Sequence, residues 1–124
     1  MATNIRVIHA HEFIKATPEG HLDLAESTKL LAEIAAVAGT LVDYEILLDT
    51  RKAQTSMPAG DLWFLAAELS NLRKAFSGKT AVLCPLEQFD QAAFFALCAQ
   101  NRDFQIRAFT SFEEAVEWLI ANGN

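Results

Sequence analysis

Short runs of aliphatic and β-branched residues alternate along the chain with longer stretches in which apolar positions recur every three or four residues. That alternation predicts strands separated by helices. The segment IRVIHAHEFIK, Ile5 to Lys15, is rich in β-branched residues and predicts one or two strands, as a short hairpin turning near Ala10. Thr17-Pro18-Glu19-Gly20 predicts a turn. Leu24, Thr28, Leu31, Ile34 and Ala38 keep helical spacing over 23–38, and Gly39 stands where such a helix stops.

YEILLD, at 44–49, reads as a buried strand followed by the polar stretch TRKAQTS. A second helix is predicted over 58–76, a second buried strand (KTAVLC) over 79–84 and a third helix over 88–101. FQIRAF, 104–109, is the last predicted strand. Ser111 opens the final helix, with Glu114 at the Ser-x-x-Glu spacing of a capping box. The order is β(β)αβαβαβα across one domain spanning 1–124. Strands joined through helices imply right-handed crossovers and a mainly parallel sheet, so the fold class is α/β.

Ligands meet such sheets at the carboxyl ends of the strands. The longest and most polar loop at such an end follows Asp49, and Asp49, Thr50, Arg51, Thr55 and Ser56 are its candidate partner-binding residues. An ordinary βα connection with local Asp and Thr hydrogen bonds explains the same residues.

On the second helix, Leu62, Leu65, Leu69, Leu72 and Phe76 form one stripe at 100° per residue, with Glu68, Asn71 and Lys74 on the other side. Trp63 and Phe64 fall off that stripe. Either they are buried under the N-terminal strands, or they form an apolar lip for a ligand, a membrane surface or a partner. The third helix is apolar all round over Ala92–Ala99, and Phe94 and Phe95 point roughly 100° apart. Extra packing within the chain, a homodimer interface or a hydrophobic groove would each account for the surplus. Leu62, Trp63, Phe64, Phe94 and Phe95 are therefore the candidate ligand-binding set.

Composition narrows the partners. The chain has 124 residues and 52% hydrophobic content, enough for a core without a metal or disulfide staple. A net charge of −6 argues against nucleic acid and weakens attraction to anionic lipid, so membrane contact is at most peripheral. The N-terminus lacks the apolar run of a leader, and no apolar run reaches the roughly 18 residues of a membrane span. A cytoplasmic location is expected.

Catalytic motifs are weak. Ser77-Gly78-Lys79-Thr80 looks like the tail of a phosphate-binding loop, but Arg73 stands where that motif needs Gly, and helix and strand come in the reverse order. His9, His11 and His21 offer no third ligand at metal spacing. Cys84 and Cys98 sit in apolar runs, where free cysteine acts as a small hydrophobe. No acid–base or nucleophile pair can be named, and no cofactor, metal or enzymatic activity is expected.

Gly20 after the opening strands, ILLDTR at 46–51, Asp61-Leu62-Trp63 at a helix start, KTAVL at 79–83 and IRAFTSFEEAVEWL at 106–119 resemble the SpoIIAA-like proteins, relatives of the STAS domain of anti-sigma-factor antagonists. The resemblance runs from about Ile5 to Leu119. It implies a mainly parallel five-stranded sheet with an antiparallel first strand and four flanking helices. It also implies kinship with CRAL-TRIO lipid-transfer domains, and hence binding of non-polar molecules with helix movement opening an apolar pocket. STAS antagonists carry a phosphoacceptor serine in an Asp-Ser-Ser-Gly-type motif at the start of the second helix. Here that stretch is Met57-Pro58-Ala59-Gly60, without acceptor hydroxyl or aspartate. The leading expectation is thus a non-enzymatic carrier or sensor of a small non-polar, lipid-like ligand. The alternative is a STAS-type protein-interaction module lacking the usual phosphoacceptor.

Overall fold

The computed structural model describes residues 3–8, 13–41 and 44–121. Seven strands and four α-helices follow the order β1 (Thr3–Ile8), β2 (Phe13–Pro18), β3 (Gly20–Leu22), α1 (Leu24–Ala38), β4 (Glu45–Asp49), β5 (Ala53–Thr55), α2 (Ala59–Glu68), β6 (Lys79–Leu83), α3 (Phe89–Gln100), β7 (Gln105–Phe109) and α4 (Phe112–Ile120). The expected hairpin forms, with β1 antiparallel to β2 from Thr3↔Pro18 to Ile8↔Phe13. Its turn, with Ala10, His9 and His11, lies outside the described residues.

The main sheet has the order β1-β2-β4-β6-β7, and all its pairings after the first are parallel. Its central strands EILLD and KTAVL read as unbroken apolar runs because helices cover both faces. Side-chain alternation sorts them. Ile46, Leu48, Val82 and Ile106 turn toward the core shared with α1, α2 and α3. Leu47, Ala81, Leu83 and Phe109 pack instead with Ala115 and Leu119 of α4. One face thus carries three helices and the other carries one.

Local chemistry sets the helix ends. The Asp23 carboxylate accepts from the Glu26 N–H at 2.8 Å and caps α1, which stops at Gly39. Ser111 Oγ accepts from the Glu114 N–H at 3.3 Å, while the Glu114 side chain is exposed. The second helix is shorter than its apolar stripe predicts. It ends at Glu68 and continues as a 3₁₀ turn over Leu69–Leu72. Ser70 and Asn71 compete with the helical ladder there, and the tighter winding still buries Leu69 and Phe76.

A small second sheet was not predicted. β3 pairs in parallel with β5, from Gly20↔Ala53 to Leu22↔Thr55. Gly20 adopts φ 86°, left-handed backbone open to glycine at little cost, and this turns the chain from β2 into β3. The pair sits above the carboxyl ends of the main sheet and closes the space between α1 and the following helices.

Candidate functional site

A cavity lies where these elements leave the sheet incompletely covered, and the space within it open to the centre of a water-sized sphere is ≈ 70 Å³. Its floor is the carboxyl ends of β4 and β6, through Leu48, Thr50, Val82 and Cys84. Leu30 and Leu31 of α1 form one wall; Leu62 and Leu65 of α2 and Ala92 and Phe95 of α3 form the other. Leu22 and Thr55 of the small sheet and Met57 lie above.

Polar groups at the cavity are few and mostly engaged with the protein. Thr50 donates its hydroxyl to the Leu83 carbonyl at 3.0 Å, and its N–H donates to the same oxygen at 2.8 Å. The Thr55 hydroxyl donates to Gln88 Oε1 at 3.0 Å. The Met57 N–H donates to Gln91 Oε1 at 3.4 Å, tying the segment before α2 to the first turn of α3. The Cys84 thiol lies 3.6 Å from the Phe109 carbonyl, and burial, with the Glu87 charge adding to it, pushes its pKa up to about 11. It is therefore a protonated wall group and not a nucleophile.

Asp49 and Arg51 lie on the other side of the sheet, because successive strand residues point to opposite faces. Asp49 Oδ1 accepts from the Arg51 N–H at 3.1 Å and from Nε at 2.9 Å, while Oδ2 accepts from Nη2 at 2.9 Å. Lys15 Nζ stands 4.0 Å from Oδ2. Lys15 and Arg51 both lie over the ring of Phe112, 5.7 and 5.9 Å from its centroid. Burial alone would raise the Asp49 pKa. The hydrogen bonds from Arg51 and the charges of Arg51 and Lys15 outweigh it and hold the carboxyl below its usual range.

The loop candidates therefore divide: Thr50 and Thr55 line the cavity, Asp49 and Arg51 brace the α4 side, and Ser56 is exposed between them. The apolar candidates divide too. Leu62 and Phe95 are buried and line the cavity. Trp63, Phe64 and Phe94 are 48%, 59% and 37% exposed, so they face solvent and are not covered by the N-terminal strands. Trp63 and Phe64 meet edge to face, with centroids 5.3 Å apart, and the Arg102 guanidinium lies 5.0 Å from the Trp63 centroid.

Several lining residues lay beyond sequence reasoning. Leu30 and Leu31 sit on a stripe indistinguishable from ordinary core, and Gln88 and Gln91 look like solvated helix positions. The strand-end rule was the one signal that pointed here. Elsewhere, Gly78 in the phosphate-loop look-alike serves packing. The Glu45 carboxylate accepts from the Lys79 N–H, and a Cβ at Gly78 would lie 3.0 Å from Glu45 Oε2. His21 lies on β3 and is exposed. Among the described residues no three His, Cys, Asp or Glu side chains gather as a metal site, and no helix is long and apolar enough to cross a membrane.

No protein-family model and no curated protein matches the chain. Solved structures do. A DUF3478-family protein with a SpoIIAA-like fold from Shewanella loihica PV-4 superposes with TM-score 0.59 at 14% identity, covering 95% of this chain and 92% of that one. The anti-sigma factor antagonist SpoIIAA in its unphosphorylated form gives 0.54 at 16% identity over 91% and 92% of the two chains. The Bacillus cell fate determinant SpoIIAA in the phosphorylated form gives 0.55 at 16% over 94% and 98%. At these identities the likeness establishes architecture, and the chain has the SpoIIAA-like α/β fold, with its first strand antiparallel and four flanking helices.

Proposed function

We propose that this chain is a non-catalytic regulatory module of the STAS type that binds another protein through the outer face of α2. The exposed Trp63–Phe64 pair carries the reading. Two large rings held edge to face in solvent, one of them under an arginine, have the composition of an interface hot spot. Phe94 and Leu97, both exposed, extend the apolar surface onto α3, which packs beside α2. Asp61, Glu68 and Asp90 stand on the same two helices. A partner with an apolar groove and a basic rim fits this surface. A second copy of this chain, also carrying −6, fits it less well.

The fold shared with SpoIIAA supports the regulatory reading ahead of the carrier reading. SpoIIAA is known in phosphorylated and unphosphorylated forms. In this chain Met57-Pro58-Ala59-Gly60 offers no hydroxyl, Thr55 is bonded to Gln88, and Ser56 is the exposed hydroxyl closest before α2.

A photo-cross-linking residue at position 64, compared with one at the exposed Glu117 of α4, tests the surface. The expected result is one protein joined through position 64 and not through 117, which then binds the purified chain. Joining only to a second copy, or equal yields at both positions, would overturn it.

A further inference from the structure

We propose that the cavity under α2 is a binding site for a small neutral molecule, mostly hydrocarbon with one carbonyl oxygen, and that filling it repositions the partner surface on α2. The second half rests on reading the outer face of α2 as that surface.

The class of ligand follows from the walls. Leu22, Leu30, Leu31, Leu48, Leu65 and Val82 present only hydrocarbon, so water inside finds few hydrogen-bond partners and an apolar group gains dispersion contacts. Size limits it further. A cavity of about 150 Å³ takes one benzene, and this one offers ≈ 70 Å³ with an open mouth. A ring or short branched chain can enter with part of it in the mouth, whereas a membrane-lipid acyl chain does not fit without helix movement.

The polar end follows from Gln91. A backbone N–H can only donate, so the bond from Met57 fixes Oε1 toward the wall and leaves the Nε2 hydrogens for an acceptor. Glu87 and Asp90 stand in the same region of the chain, and they disfavour a carboxylate against a neutral carbonyl. The coupling follows from α2 itself. Leu62 and Leu65 face the cavity, while the intervening Trp63 and Phe64 face solvent, so packing against the first pair moves the second.

Titrating the isotope-labelled chain with cyclohexanone, with hexanoate and methylcyclohexane as comparators, tests both halves. Saturable shifts at the methyls of Leu62, Leu65 and Val82 are expected, together with a shift of the Trp63 indole N–H, and cyclohexanone should bind more tightly than hexanoate. Ala92→Phe should abolish the methyl shifts. Gln91→Leu, which leaves the hydrocarbon walls intact, should weaken cyclohexanone about threefold to tenfold and leave methylcyclohexane unchanged. No saturable methyl shift with any probe, or shifts that survive Ala92→Phe in a folded protein, would overturn the site. Methyl shifts with a silent Trp63 would overturn the coupling. Loss of the partner-binding reading would show only in the cross-linking and would leave the methyl titration standing.

Discussion

Asp49 holds the guanidinium of Arg51 with both carboxylate oxygens, through Nε–Oδ1 and Nη2–Oδ2 bonds of 2.9 Å each. The side chain of Asp49 is 6% exposed, so this bidentate pair ties the loop after β4 down at the edge of the core. Because the carboxyl pKa is depressed in the folded state, its contribution to stability is present above the unfolded value near 3.9 and is lost as pH falls below it toward the native value. Asp49→Asn should cost about 1–2 kcal/mol at neutral pH, and urea unfolding should show the difference shrinking below about pH 3.5. A difference that grew in acid would contradict this assignment.

Burial and exposure on α2 predict opposite phenotypes for two neighbouring large side chains. Leu69 is fully buried, and Leu69→Ala should destabilise the chain by about 2–5 kcal/mol. Trp63 is half exposed and held mainly by Arg102, so Trp63→Ser should cost about 1 kcal/mol or less. Calorimetric melting of the two variants separates a core residue from one kept at the surface.

The two cysteines should differ in reactivity. Cys84 is buried with its thiol pKa raised to about 11, whereas Cys98 is half-buried. Intact-mass analysis during mild alkylation should show one adduct forming at Cys98, and a second at Cys84 only as the chain opens. Early modification of Cys84 would mean that the cavity floor is far more open than described.

Gly78 and Glu45 should be coupled. Gly78→Ala pushes a Cβ against the Glu45 carboxylate and weakens its bond to the Lys79 N–H, at a cost of about 1 kcal/mol. In a Glu45→Ala background the same change should cost little. A double-mutant cycle measures this, and strictly additive effects would contradict the contact.

Much of the architecture was legible because it rests on long periodic segments. The stripe of α1, the apolar runs of β4 and β6 and the Ser111 cap each carry a signal within a few residues. β5 was not legible: three residues, Ala53–Thr55, are too few to show alternation, and its partner Gly20–Leu22 is remote in sequence. The stop of α2 at Glu68 was hidden because Leu69, Leu72 and Phe76 keep helical spacing through the 3₁₀ turn. At the site, the excess of Trp63 and Phe94 over a single stripe could be counted from the sequence. Whether the stripes of α1, α2 and α3 close tightly or leave a void depends on summed side-chain volumes, which no local pattern contains.

The central claim, that the outer face of α2 binds a partner protein, is tested most directly by affinity. With the protein joined through position 64 in hand, titration calorimetry should compare the native chain with Trp63→Ser/Phe64→Ser. The account predicts at least about a tenfold weakening in the variant with its fold intact, and equal affinity for the two chains would contradict it.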